Sequence, residues 1–301
     1  MDQHLLVFVT VVDKGNFSRA AEELHMTQPA VSQYIQSLER SYGAKLLDRS
    51  NKFVRLNKAG EIVYYHAKEI LGLYTKMQGL IDDLTNRASG PLSIGASYTF
   101  GEYVLPHLIA KLHQQFPLIK PRIKIGNTKE ISELVIGHQL DVGIIEGEYK
   151  DPHLSIESFT EDMMYVVASS THPLSMQKQE IQISDLEKET WIIREIGSGT
   201  REATETIFKR LSITPKDTME FGSTQLIKET VESGLGITLL SQLAIRKEIS
   251  MEVLKILPVK DTPFKRNFSI VLRTSFQTKA LEVFIRLLKE QFKKGVSLND
   301  K

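Results

Sequence analysis

NFSRAAEELHMTQPAVSQYIQSLERSY, residues 16–42, decides how the rest of the chain is read. It has the form of two helices joined by a tight corner. Ser18 is expected to cap the first helix, with Glu22 and Glu23 supplying acid near its start. Ala20, Ala21 and Leu24 give that helix an apolar face. His25-Met26 ends it, Thr27 caps the next helix, and Pro29 is tolerated in that helix's first turn. In the second helix Val31, Ile35 and Leu38 recur at helical spacing and are expected to face inward. Gln28, Ser32, Gln33 and Gln36 fall on the opposite side, and Ala30 joins them near the helix start. That face is short, polar and uncharged, with amide and hydroxyl groups able to read base edges in a major groove. A helical hairpin with a merely solvated face would look the same, so the neighbouring residues must decide.

Residues 40–58 carry Arg40, Lys45, Arg49, Lys52, Arg55 and Lys58 against the single acid Asp48. LLDRS and FVRLN are two short extended runs around Ser50-Asn51-Lys52. They predict a two-stranded wing with cations positioned for phosphate. A reading helix followed by a basic wing fits DNA binding better than a generic hairpin.

FSRAAEELHMTQPAVSQYIQSLERSYGAKLLDR, followed by VRLNKAG, resembles the N-terminal winged helix-turn-helix of LysR-type transcriptional regulators. The resemblance implies DNA-reading positions at Thr27, Gln28, Pro29, Ala30, Ser32 and Gln33, with Arg49 in the wing. With their polar and basic neighbours, the expected DNA-binding set is Ser18, Arg19, Thr27, Gln28, Pro29, Ala30, Ser32, Gln33, Gln36, Arg49 and Lys52. The family further implies an interrupted palindrome of double-stranded DNA as partner and a homodimer or homotetramer as assembly.

A chain of 301 residues is long for one core and suggests two or three units. Hydrophobic residues make up 41% and charged residues 25%, ordinary values for soluble globular protein. The net charge is only +1, so the basicity of the wing is local. There are no cysteines, which excludes disulfides, thiolate metal sites and a cysteine nucleophile. The opening MDQHLLVFVTVVDKG is interrupted by Asp2, His4 and Asp13 and lacks a basic start and a cleavage site, so it is a poor signal peptide. Leu5, Leu6, Phe8, Val9 and Val12 suit the first helix of the DNA-binding unit instead. No stretch approaches the ~20 apolar residues that cross a membrane, and a cytoplasmic location is expected.

Residues 57–87 predict one long helix capped by Asn57. Val63, Ile70, Met77 and Leu84 keep a seven-residue beat, Ala67, Tyr74 and Ile81 a second, and His66, Leu73 and Leu80 widen the stripe. Such a seam is half of a coiled coil or the inner face of a helix packed on its own domain. The family has its dimerising helix here. Pro91 after Gly90 ends the helix in a short polar linker. The expected domains are a winged helix-turn-helix at 1–58, a dimerisation helix at 59–88 and an effector-binding domain at 89–301.

Beyond the linker, strands and helices alternate. LSIGAS, PRIKIGN, DVGIIEG, LSIESF and MMYVVAS are expected strands, with helices over 100–116 and KEISELVIGHQ. TWIIREI, DTMEFGS, GITLLS, LKILPV and NFSIVLRTS continue the series, and a helix closes the chain from 277 to about 293. This rhythm predicts a mostly parallel sheet with helices on its faces. The resemblance adds the topology: a two-lobed, periplasmic-binding-protein-like domain whose chain crosses twice, with lobe I at about 90–162 and 269–301 and lobe II at about 163–268. The fold class is therefore α/β, preceded by an all-α winged helix-turn-helix and a long linker helix.

Ligands of open α/β sheets collect beyond the carboxyl ends of strands. Those ends carry Ser97, Tyr98 and Thr99, then Thr128, then Glu146, and in the second set Ser198, Gly199, Thr200 and Arg201. The glycines of GSGTR allow a tight turn, the hydroxyls and free N–H groups donate, and Arg201 adds charge, a recipe for an anion. Its rival is a plain helix cap with an exposed arginine. Gly222-Ser223-Thr224 is a further corner of this kind, more simply a cap. Glu146 could repel an anion or accept from a ligand amine or hydroxyl. The effector-binding set is Ser97, Tyr98, Thr99, Thr128, Glu146, Ser198, Gly199, Thr200 and Arg201, for an oxyanion or small carboxylate. Resemblance to regulators of sulfur assimilation points to a sulfur oxyanion. No catalytic residue, metal site or cofactor is expected, since no zinc-ligand pair, phosphate loop or nucleophile turn occurs. A transport binding protein or an enzyme on the same scaffold is the alternative, disfavoured by the N-terminal unit and the missing catalytic constellation.

Overall fold

The computed structural model describes residues 3–49, 54–82, 88–177, 179–273 and 277–293. The chain divides into two compact units, Met1–Arg87 with Gly137–Leu140 and Ala88–Ile136 with Asp141–Lys301.

In the first unit α1 (Gln3–Lys14), α2 (Phe17–Glu23) and α3 (Gln28–Tyr42) precede β1 (Leu47–Arg49), β2 (Val54–Leu56) and α4 (Lys58–Asp82). The cap of α2 is Asn16 rather than Ser18. The extended backbone of Asn16 lets its Oδ1 accept from the N–H of Ser18 at 2.8 Å and of Arg19 at 3.1 Å. Ser18 falls one turn position inside the helix, where its own N–H needs the cap. Thr27 caps α3 as expected, its hydroxyl accepting from Ala30 N–H at 3.4 Å. His25, at φ 52°, turns the corner between the two helices. Val31, Ile35 and Leu38 are buried against Leu5, Val7, Phe8, Val9 and Val11 of α1. Each such side chain contributes about 1.5–3 kcal/mol of transfer free energy. Glu39 fixes the wing to α3: its buried carboxylate accepts from Leu46 N–H and from Lys45 Nζ, both at 3.0 Å.

β1 and β2 pair antiparallel, from Leu47 opposite Leu56 to Arg49 opposite Val54. Residues 50–53, with Lys52, lie outside the described residues. Asn57 caps α4 through Gly60 N–H at 2.9 Å and donates to Lys45 carbonyl at 2.9 Å. Gly60 is required by close approach, since a Cβ there would lie 2.0 Å from the Leu46 carbonyl oxygen. Val63 and Ala67 pack into the core of this unit. Ile70, Leu73, Tyr74, Met77 and Ile81, further along the same helix, are exposed. Leu84 lies outside the described residues.

The second unit runs β3 (Gly90–Ser97), α5 (Tyr98–Tyr103), α6 (Leu105–Gln115), β4 (Ile119–Gly126), α7 (Thr128–Ile136), β5 (Val142–Glu146) and β6 (Leu154–Ser169). It continues with α8 (Ile183–Leu186), β7 (Thr190–Arg194), α9 (Gly199–Leu211), β8 (Asp217–Phe221), α10 (Thr224–Glu232) and β9 (Thr238–Ser241). Then come α11 (Gln242–Ser250), β10 (Leu254–Ile256), β11 (Phe264–Arg273) and α12 (Lys279–Lys293). The single helix expected over 100–116 is two. Val104 interrupts it at φ −120° and ψ −49°, because Pro106 has no N–H to continue the ladder.

The sheet is mixed rather than mostly parallel. β4, β3 and β5 are parallel neighbours, but β5 pairs antiparallel with β11, β11 with β6, and β6 with both β10 and β9. β7 and β8 form their own parallel pair, joined to the edge of β9 by a bridge between Trp191 and Ile237. The two strands expected from LSIESF and MMYVVAS are one 16-residue strand, β6. Its polar middle does not break, because Thr160, Glu161 and Asp162 stay opposite Phe268, Asn267 and Arg266 of β11. One bulge interrupts that ladder: Phe268 faces Thr160, the next residue Ser269 faces Ser158, and Phe159 is the extra residue.

β6 and β11 thus carry the chain between two cores. One gathers Leu92, Ile94, Phe100, Leu105 and Leu108 with Leu281, Phe284 and Leu288 of the closing helix. The other gathers Met164, Val166, Trp191, Ile193, Ile207 and Leu239. Trp191 is fully buried, its indole donating to the Leu186 carbonyl at 2.9 Å.

Candidate functional site

On α3, Thr27, Gln28, Pro29, Gln33 and Gln36 are exposed, while Ala30 and Ser32 are half-buried. Gln28 Nε2 donates to Ser32 Oγ at 3.0 Å, one helical turn on. Ser18 and Arg19 are exposed at the start of α2. Arg49 belongs to β1. The result is an amide- and hydroxyl-bearing helix face whose opposite side is buried through Val31, Ile35, Leu38 and Glu39. Such a face can donate to and accept from base edges without charge.

In the second unit, the expected strand-end residues converge at the junction of the two lobes, and nearly all are buried. Ser97, Thr99, Thr128, Glu146, Ser198 and Thr200 are each no more than 5% exposed. Ser97 and Thr128 hydroxyls lie 3.2 Å apart, and Thr128 donates to the Glu146 carbonyl at 2.9 Å. The Glu146 carboxylate accepts from Thr99 N–H at 2.7 Å, Phe100 N–H at 3.2 Å and the Thr99 hydroxyl at 3.2 Å. Ser198 caps α9 through Thr200 N–H at 3.2 Å. Gly199 lies directly on β5, where a Cβ would be 2.1 Å from the Glu146 carbonyl oxygen. Lys129 N–H donates to the Gly197 carbonyl at 3.1 Å, tying the start of α7 to the GSGTR turn.

The cation at the centre is Arg266 of β11, which the sequence reading did not select. Its Nε donates to Asp162 at 2.7 Å, Nη1 pairs with Glu146 at 2.8 Å and donates to Thr200 at 2.9 Å, and Nη2 donates to Thr99 at 2.9 Å. Ser241 donates to the second oxygen of Asp162 at 2.6 Å. Burial works against the charge of Arg266, but Glu146 and Asp162 outweigh it and hold the guanidinium protonated. Burial also pushes the Asp162 carboxyl up against the opposing pull of Arg266 and Ser241. A signal for Arg266 was present: it sits in phase with the inward Phe264 and Phe268 of FKRNFSI, where an unpaired charge would not be tolerated.

Arg201 does not join this cluster. It lies on the outer side of α9, where Nε pairs with Glu205 at 2.6 Å and Nη1 with Glu220 at 2.9 Å and the Arg194 carbonyl at 2.9 Å. Glu205, one helical turn on, draws the side chain along the helix surface. Tyr98 lies apart from the cluster as well, under the Arg194 guanidinium, whose Cζ is 4.3 Å from the ring centroid. Arg194 is fully buried, paired with Glu195 at 2.7 and 2.8 Å and donating to Thr224 at 3.2 Å. Burial opposes ionisation of Glu195, yet Arg194 and Asn127 together hold its carboxyl below the usual range.

Among the described residues, the charged groups named at this junction are all partnered, and none of the hydroxyls named there stands beside a free base. A cavity of about 390 Å³ opens beside Gly199 and Arg266, between α9 and β11. Among the described residues no group of His, Asp and Glu is placed to hold a metal ion. None of the described helices is long and apolar enough to cross a membrane.

Comparison with known proteins matches both units. Residues 3–61 match the bacterial regulatory helix-turn-helix protein family of lysR type, and residues 85–293 match the LysR substrate binding domain. The HTH-type transcriptional regulator CysL of Bacillus subtilis (strain 168) is 39% identical over 289 residues, covering 96% of each chain. Full-length OxyR from Pseudomonas aeruginosa superimposes with a TM-score of 0.68 at 27% identity, over 96% of this chain and 93% of that one. The regulatory domain of CcmR from Synechocystis, solved in complex with 2-PG, gives a TM-score of 0.63 at 28% identity, over 68% of this chain and 98% of that one. With both family regions matched in order and a regulator aligned nearly end to end, the chain belongs to the LysR family of transcriptional regulators.

Proposed function

We propose that this regulator reads double-stranded DNA with α3 and senses a small anionic metabolite at the junction of its two lobes. The observation that carries the first half is the exposed row of Thr27, Gln28, Gln33 and Gln36 on a helix whose other side is buried. Residues 1–58 hold the DNA, with Arg49 and Lys52 on phosphate. Residues 59–88 pair two chains through Ile70, Leu73, Tyr74, Met77 and Ile81, so that two reading helices meet an interrupted palindrome. Residues 89–301 bind the effector, with lobe I at about 90–162 and 269–301 and lobe II at about 163–268. The protein works in the cytoplasm and has no enzymatic role.

The effector half is supported by the meeting of Thr99 and Thr200 on Arg266, with the Ser97–Thr128 hydroxyl pair and the Ser198 cap on the neighbouring strand ends, hydroxyls and a guanidinium suited to an oxyanion or carboxylate. The structure of CcmR with 2-PG supports a small ligand in a unit of this fold. Coupling of about 1–3 kcal/mol between the effector and DNA sites suffices for a switch. A gel shift with the DNA upstream of the protein's own gene, with and without a panel of small anions, tests both halves. Absence of any shift sinks the DNA reading, and a shift insensitive to every anion sinks the effector class.

A further inference from the structure

A carboxylate offers about four lone-pair positions, and Glu146 has four donors on them. They are Thr99 N–H at 2.7 Å, Phe100 N–H at 3.2 Å, the Thr99 hydroxyl at 3.2 Å and Arg266 at 2.8 Å. Two backbone N–H groups, a hydroxyl and a guanidinium are also what a free carboxylate or oxyanion would collect from solution. Arg266 carries the same network across to Thr200 in the second lobe and to Asp162 in the crossing strand. Glu146 is 2% exposed, so Arg266 and its hydrogen bonds, not water, balance its charge.

We propose that Glu146 is an internal competitor of the effector: its carboxylate fills the donors an anionic effector needs, and the effector binds by taking its place. This rests on the reading of the lobe junction as the effector site. A tethered group competes at an effective concentration in the millimolar range or above. Small anions abundant in solution therefore lose to Glu146, and only a ligand with further contacts in the cleft displaces it. Glu146 sets both the threshold and the selectivity of the response. Displacement also removes one of the two carboxylates on Arg266, loosening the tie between Thr99 and Thr200.

The test uses the full chain, with sodium acetate and sodium sulfate as probes and ionic strength held constant with sodium chloride. Thermal unfolding is followed for the natural chain, Glu146→Ala and Glu146→Asp. Glu146→Ala frees all four donors, and its half-saturating acetate concentration is expected at least about tenfold below that of the natural chain. Glu146→Asp keeps the charge beside Arg266 but is one methylene shorter, and its value is expected in between. If Glu146→Ala does not fold unaided, refolding by acetate but not by chloride supports the proposal, and without such recovery Glu146→Asp decides alone. Variants that respond to acetate and sulfate no better than the natural chain overturn it. The natural chain separates the two levels. If acetate or sulfate stabilises the natural chain and its Glu146 variants no better, only the competition falls, whereas if neither anion stabilises the natural chain or any variant, the reading of the junction as an anion site falls with it.

Discussion

Gly199→Ala sets two physical effects against each other with opposite signs. Gly199 is the first residue of α9, and it carries an ordinary φ. Helix propensity alone makes alanine there better by about 1 kcal/mol. Against this, the new Cβ would sit 2.1 Å from the Glu146 carbonyl oxygen and 2.6 Å from its carbon. Normal contact is about 3.5 Å, so α9 must retreat from β5 by more than roughly 1 Å. That retreat strains the Arg266–Thr200 bond at 2.9 Å and the bond from Lys129 N–H to the Gly197 carbonyl. Overpacking costs about 1–3 kcal/mol, and a strained bond to a charged group about 1.5–3 kcal/mol when lost. With the propensity gain subtracted, the expected loss is about 2 kcal/mol, or about 4–8 °C in the melting temperature of a unit of this size. Differential scanning calorimetry reads it directly. Gly222→Ala is the control, because nothing lies within 4 Å of a Cβ there, and its expected change is within about 0.5 kcal/mol. A Gly199→Ala chain that melts at or above the natural temperature refutes the reading that Gly199 lies directly on the backbone of β5.

Arg201→Ala is expected to leave the effector response intact and to cost about 1–2 kcal/mol, since Arg201 serves half-exposed ion pairs with Glu205 and Glu220 and one hydrogen bond to the Arg194 carbonyl; loss of response in a reporter assay would return Arg201 to the site. The carboxyl of Glu195 is lower when folded than when unfolded. Its stabilisation is therefore complete above the ordinary carboxylate pKa of about 4.3 and fades as pH falls through the folded value. Glu195→Gln should flatten the acid limb of a pH–stability curve, and an unchanged limb would count against the Arg194–Glu195 pair. Leu73→Glu with Met77→Lys places charge in the exposed stripe of α4, and sedimentation should then show smaller assemblies. Gln28→Ala should relax sequence preference, whereas Arg49→Ala should weaken binding to every DNA about equally and shallow the salt dependence; identical losses for the two would erase the division between base-reading and phosphate-holding residues.

The helix-turn-helix was legible because its information is local. Val31, Ile35 and Leu38 mark the buried face by period alone, and Thr27 and Pro29 mark the start. Asn16 and Ser18, two residues apart, are both good caps by type, and only the backbone conformation separates them. In the second unit most strands and helices followed from alternation, but their pairing did not. Whether Thr160, Glu161 and Asp162 turn or run straight depends on β11, about a hundred residues away in sequence. The side-chain cluster at the strand ends is legible only in part for the same reason. Hydroxyls at strand ends are local signals, so Ser97, Thr99, Thr128 and Thr200 can be marked from the sequence. The arginine nearest to them in sequence is Arg201, and nothing local reveals that Arg266 crosses over to reach Thr99 and Thr200. Glu146 takes no role from the sequence for the same reason: its partner lies on another strand.

The paired strands β6 and β11 limit how the lobes can move. Two separate connectors would let the lobes swing like covers of a book. Here the connectors are hydrogen-bonded to each other from Met164 opposite Phe264 to Leu154 opposite Arg273, so splaying them would break that ladder, whereas twist is already part of such a ribbon. The extra residue Phe159 leaves one gap in its ladder. A rotation about the ribbon, pivoting at that gap, is the motion this pairing leaves open, and an occupant of the junction would then be expected to act on the rest of the molecule as a wrench does on a shaft.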